Sequence, residues 1–124
     1  MSTLGVSTFV AQAQSCPARD TTPACEALRA QSAFDHADED LNAAYSRILE
    51  QVSGPKDRYV DYPALKAKFI KAQRQWVRFR DAECDAWYVI NQAGADRNLD
   101  KMTCLTDRTK ERTTQLDAWH ENLP

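Results

Sequence analysis

The chain has 124 residues, 43% of them apolar and 27% charged, with a formal net charge of −2. That length supports one domain with a modest core and is too short for two. Three glycines among long stretches of helix formers argue against a β-sandwich, and no run approaches the ~18 apolar residues that a membrane span needs.

From the N-terminus, Leu4 to Val10 are mostly apolar or small, and Ala11-Gln12-Ala13 has the small-x-small form that signal peptidases cleave. Met1 to Ser15 carries no Lys or Arg, so residues 1–15 read as a partial signal peptide, with a disordered leader as the alternative. Four cysteines follow: Cys16, Cys25, Cys84 and Cys104. An even count in a short chain after such a segment predicts two disulfides in an oxidising compartment, periplasmic or secreted. Residues 16–124 then form a single domain.

A first helix starts near Thr22-Pro23, with Thr22 as N-cap and Pro23 at the first helical position. Leu28, Phe34, Ala37, Leu41, Tyr45, Ile48 and Val52 recur mostly every three or four residues, and Ser53-Gly54-Pro55 stops the run. Its opposite face carries Asp35, Asp38, Glu39 and Asp40. A connector of residues 56–62 leads to a second start at Asp61-Tyr62-Pro63. There the expected apolar stripe is Leu65, Phe69, Ala72, Trp76, Phe79, Ala82, Ala86 and Ile90. Residues 91–100 contain Gly94 and several turn formers, so they read as the longest loop. A third helix, residues 101–120, places Leu105, Leu116, Trp119 and Leu123 on one side together with Arg108 and Arg112. The prediction is an all-α, antiparallel assembly of three main helices stapled by two disulfides.

Charge is unevenly spread. Residues 16–53 hold three basic and seven acidic side chains, residues 56–80 eight and two, and residues 81–124 five and nine. A basic strip between acidic segments of a compact chain predicts a solvated helix face neutralised by inter-helix ion pairs. It lacks interleaved stacking aromatics and a helix-turn-helix spacing, so no nucleic-acid partner is expected.

Chemistry-bearing motifs are scarce. The cysteines lack the tight pair that structural zinc uses, and neither His36 nor His120 is close to one in sequence, so no metal or other cofactor is expected. Three disulfide connectivities are possible. Cys16–Cys25 with Cys84–Cys104 is preferred, because it pins the entry to helix one and staples helix two to helix three. Asp35, Asp38 and Glu39 share helical spacing but sit opposite the apolar stripe, as a solvated face does. No nucleophile elbow or Gly-rich phosphate loop is present, so the chain has no catalytic residues and is not an enzyme. The informative polar residues lie on the helix-two seam. Gln73, Trp76, Arg80 and Asp81 fall within about two turns, and Arg112 approaches them when helix three packs back. A charge on that seam needs a partner, and Asp81, Asp40 or backbone carbonyls would serve.

These residues resemble the LprI-type lysozyme inhibitor family of bacterial secreted and lipid-anchored proteins. The matching pieces are Cys16 and Cys25, Ala37, Asp40-Leu41-Asn42 with Tyr45, and Ala72-Gln73-x-x-Trp76-Val77-x-Phe79-Arg80-Asp81-x-Glu83-Cys84. Gly94, Cys104-Leu105 and Thr109-x-x-Arg112-Thr113-x-x-Leu116 complete the order. Two features depart from it. Arg108 stands where relatives carry an aliphatic residue, and Cys16 follows Ala13-Gln14-Ser15 rather than a lipobox.

The resemblance implies an α-helical, disulfide-bonded envelope protein and, for the name-giving member, inhibition of lysozyme. The partner would be a lysozyme or another murein-degrading enzyme, whose cleft works with two carboxylates. A rigid loop carrying a cation or amide suits such a cleft, because pre-organisation lowers the cost of binding. The loop of residues 91–100, with Arg97, Asn98 and adjacent Lys101, is the first choice. The connector, with Arg58 and Tyr59, is the second. The competing expectation is a non-enzymatic envelope module that binds another partner through the helix-two seam or a Trp87–Tyr88 patch.

Overall fold

The computed structural model describes residues 16–124. The leader assignment for residues 1–15 lies outside the described residues. Three helices account for about three quarters of the described residues: α1 (Pro23–Gln51), α2 (Tyr62–Ile90) and α3 (Arg97–Asn122), with no strand among them. Among the described residues, no helix is long and apolar enough to cross a membrane.

Local chemistry sets the helix starts. The Thr22 hydroxyl accepts from the Cys25 N–H at 3.4 Å, and the Asp61 carboxylate accepts from the Ala64 N–H at 3.1 Å, each capping a helix with proline in its first turn. Upstream of α1 the Asp20 carboxylate accepts from the Thr22 N–H at 2.9 Å, a bond that holds its pKa below the usual carboxylate value. α3 begins earlier than the periodicity suggests. Residues 91–96 alone form the turn, and Arg97, Asn98 and Asp100 belong to the helix's first turn. The Asn91 amide donates to the Asp100 carboxylate at 2.6 Å, and the Asp100 N–H donates to the Asp96 carbonyl at 2.9 Å. A carboxylate near the N-terminal end of a helix also opposes its macrodipole favourably.

The chain runs up, down and up. Asp85–Lys101, Cys84–Cys104 and Arg80–Thr109 step forward on α3 as they step back on α2, so these two helices are antiparallel. Arg47–Asp117 and Gln51–His120 are separated by 70 and 69 residues, so α1 and α3 run parallel. The backbone of α3 lies against both partners, whereas α1 and α2 meet mainly through large side chains. One core cluster joins Leu41, Ala44, Ile48 and Val52 to Phe69 and Leu116, with Tyr45, Leu65, Trp76 and Leu123 around it. A smaller cluster gathers Phe34 and Met102 on Cys84, Cys104 and Leu105. Both preferred disulfides are present, Cys16–Cys25 and Cys84–Cys104, each with Cα atoms 5.5 Å apart.

Two expectations are corrected. The buried face of α2 is Phe69, Gln73, Arg80 and Cys84, with Trp76 half-buried. Ala72, Phe79, Ala82, Ala86 and Ile90 instead face solvent. Burying Gln73 and Arg80 is affordable because both find hydrogen-bond partners on or beside α3, which a periodicity count does not register. The basic strip is also not neutralised internally. Of its eight cations only Arg80 enters an ion pair among the described residues. The acidic side chains of α2 are taken instead by Arg80 and by cations of α3.

Candidate functional site

The connector between α1 and α2 is an ordered structure built on Asp57. One of its carboxylate oxygens accepts from the Tyr59 N–H at 2.8 Å and the Val60 N–H at 2.7 Å, while the Asp57 N–H donates to the Val60 carbonyl at 3.0 Å. An Asp side chain bonded two residues ahead closes an Asx turn. The turn leaves Tyr59 84% exposed, with the Arg58 guanidinium carbon 5.6 Å from its ring centre. Asp57 and Asp61, the only acids here, are occupied by backbone N–H groups, so the tip presents a cation stacked on an aromatic ring.

A polar seam runs between α2 and α3. Arg80, only 8% exposed, donates to Asp81 at 3.0 Å and to the fully buried Thr109 hydroxyl at 3.2 Å. Its guanidinium also lies over the rings of Phe34 and Trp76, 5.5 and 5.3 Å from their centres. Arg112 approaches the Trp76 ring at 5.7 Å and donates to the Gln73 side-chain oxygen at 2.9 Å. Burial lowers the Arg112 pKa, and the Gln73 bond helps hold the ion in place. Asp40 takes no part in this network. Replacing Trp76 with leucine keeps an apolar side chain but removes the π-face from both guanidiniums, so we expect a loss of about 1–2 kcal/mol in chemical denaturation. An unchanged midpoint would mean that the rings merely fill space.

Arg108 sits at the seam's edge, donating to Glu83 at 2.5 Å and to Glu111 at 3.2 Å. The Glu83 bond raises its pKa and holds the cation at the seam's edge. The other side of the seam opens into a groove of about 280 Å³ between α1 and α2. Asp38, Asn42, Tyr45, Gln73, Arg74 and Arg80 surround it over a floor of Leu41 and Val77. The motif residues Asn42, Tyr45, Gln73 and Arg80 therefore converge on one groove. The local sequence assigns Asp38 to a solvated acidic face and does not single out Arg74, because only the helix crossing brings the two to one groove.

The first-choice loop is corrected. Arg97 and Asn98 lie on α3, Arg97 donates to the Gly94 carbonyl at 3.4 Å, and Lys101 is bound to Asp85 at 2.7 Å. None of the three is carried on a protruding loop. Trp87 is 44% exposed and borders a cavity of about 250 Å³ with Asn91, Asp100 and Arg108, while Tyr88 is half-buried.

The family described as "Lysozyme inhibitor LprI" matches residues 14–116, most of the chain. The chain belongs to this family. An uncharacterized protein of Rhizobium meliloti (strain 1021) is 27% identical over 90 residues, covering 69% of this chain and 65% of that protein. The chain thus spans a little under two thirds of that relative's length. No solved structure matches. This LprI-family chain joins its three helices through the Ile48–Phe69–Leu116 core, and the Gln73–Trp76–Arg80–Arg112 seam ties α2 to α3.

Proposed function

We propose that this protein is a periplasmic or secreted, non-enzymatic inhibitor of a lysozyme or related murein-degrading glycosidase, and that the connector is the element that enters the enzyme cleft. The observation that carries this reading is the Asp57-closed turn, which presents Arg58 and Tyr59 to solvent. Family membership supplies the target class. A glycosidase cleft combines two carboxylates with surfaces that pack against sugar rings. Arg58 can pair with a carboxylate through charge-assisted hydrogen bonds, and the Tyr59 ring can occupy a position where a sugar packs. Because Asp57 fixes the backbone beforehand, little ordering entropy is lost on binding. The two disulfides suit an oxidising compartment.

Arg58→Ala and Tyr59→Ala should each weaken inhibition by about 2 kcal/mol, or about 30-fold, in a cell-wall turbidity assay. Both side chains point away from the core, so melting should shift by no more than about 0.5 kcal/mol in stability. Full inhibition by both variants would remove the connector from the interface. Wild-type protein that leaves lysozymes of several classes active would remove the inhibitor reading itself. The groove between α1 and α2 favours the second reading, an envelope module that binds a small polar ligand among Asp38, Asn42, Tyr45 and Gln73.

A further inference from the structure

The outward face of α2 is used by no other part of the described chain. Lys68, Lys71, Gln75, Arg78, Ala82, Ala86 and Val89 recur every three or four residues and so lie along one side of the helix. Phe79 and Ile90 flank this line. The N-terminal half of the face is basic, and the C-terminal half is apolar, with Asp81 and Asp85 along one edge and each in an ion pair. All of these residues are exposed, with Phe79 at 64%, Val89 at 64% and Ile90 at 67%. Single exposed apolar side chains are ordinary, but a continuous run on one helix face marks an interaction surface.

Charge decides what kind. Lys68, Lys71 and Arg78, with Arg74 beside them, enter no ion pair among the described residues. The acids of α2 are matched at home: Asp81 by Arg80, Glu83 by Arg108 and Asp85 by Lys101. The face therefore offers uncompensated positive charge at one end and bare apolar surface at the other. A second copy of the chain fits poorly, because an antiparallel pairing would lay these free cations against carboxylates that already have partners.

We propose that α2 lies flat on an anionic phospholipid surface, with Lys68, Lys71, Arg74 and Arg78 among the headgroups and Phe79, Ala82, Ala86, Val89 and Ile90 at the headgroup–acyl boundary. Cations beside an apolar stripe are the composition of interfacial helices. The stretch from Lys68 to Ile90 is roughly 33 Å long at the helical rise, enough to engage several lipids. The inference is independent of the inhibitor reading, since the Arg58–Tyr59 tip precedes α2 and is not part of this face.

Flotation of the oxidised protein with vesicles tests it, using phosphatidylcholine alone and phosphatidylcholine mixed with an equal part of phosphatidylglycerol. Binding is expected only to the anionic vesicles and should fall as salt screens the surface. The double variant Lys71→Gln/Arg78→Gln should bind about 25-fold more weakly, since each cation near an anionic surface contributes about fivefold. Phe79→Ser should lose about tenfold through its apolar contact alone, and its exposure leaves the fold intact. Equal binding to neutral and anionic vesicles, or none to either, would overturn the proposal. So would undiminished binding by Phe79→Ser, which would make the face a charge-only polyanion site. A solution dimer that dissociates on Phe79→Glu would likewise assign the face to a second copy.

Discussion

Phe69→Ala is expected to destabilise the protein by about 3–5 kcal/mol, as large-to-small changes at fully buried aromatic positions do. Phe69 is 1% exposed and carries α2's contribution to the main core cluster. Its ring stacks on Tyr45 of α1 with centroids 5.3 Å apart and lies 5.3 Å from the Trp119 ring of α3. Removing it opens a cavity where three helices meet, and none can close the gap without leaving the other two. A domain of this size has only about 5–15 kcal/mol to lose. The melting temperature should therefore fall by more than about 10 °C. Phe79→Ala is the internal control. The same chemistry on the same helix, at a side chain 64% exposed, should change stability by no more than about 0.5 kcal/mol. Equal losses at the two positions would mean that α2 presents a different face to the core.

That contrast also marks where the sequence is readable. Thr22-Pro23 and Asp61-Pro63 announce two helix starts because capping is chemistry between near neighbours. The α1 stripe is legible because its buried positions are apolar. The α2 face is legible only in part: Gln73, Arg80 and Asp81 read as seam residues, but the apolar stripe is misplaced, because Arg80 is buried by Asp81 beside it, Thr109 on another helix and the rings of Phe34 and Trp76. A hydrophobicity count therefore selects Phe79 and Ile90, which face solvent, over Gln73 and Arg80, which do not. The start of α3 is hidden by Gly94, Asn98 and Asp100, which read as turn formers although Asp100 favours a first helical turn. At the candidate site Arg58 and Tyr59 stand out as a cation beside an aromatic. The Asp57 bonds that order them are also local, a signal present two residues upstream. Thr109 is legible only as a piece of the family pattern, since its burial depends on Arg80. Asp38 and Arg74 become neighbours only through the crossing of α1 and α2.

Replacing Cys84 and Cys104 together with alanine should cost about 3 kcal/mol in the loop-closure description of a bridge. The bond spans 20 residues, and Cys84 is fully buried. The loss should be unevenly distributed. Beyond Phe69 the buried residues of α2 are Gln73, Arg80 and Cys84, and hydrogen bonds such as those of Gln73 and Arg80 each contribute only about 1 kcal/mol net. Without the bridge the C-terminal half of α2 has no large, fully buried apolar side chain to hold it on α3. Amide exchange should accelerate first in residues 80–96. The α1–α3 core around Ile48 and Leu116 should exchange only with global unfolding. Uniform acceleration across all three helices would show that the bridge stabilises the whole domain and does not act as a clamp on one helix end. The same variant bears on function, because the connector lies at the other end of α2, roughly 40 Å from residues 91–96 along a helix of 29 residues. An inhibitor that uses Arg58 and Tyr59 should keep its potency at temperatures where the variant is folded. If potency instead falls with the bridge while the connector variants remain active, the inserting element is the turn between α2 and α3.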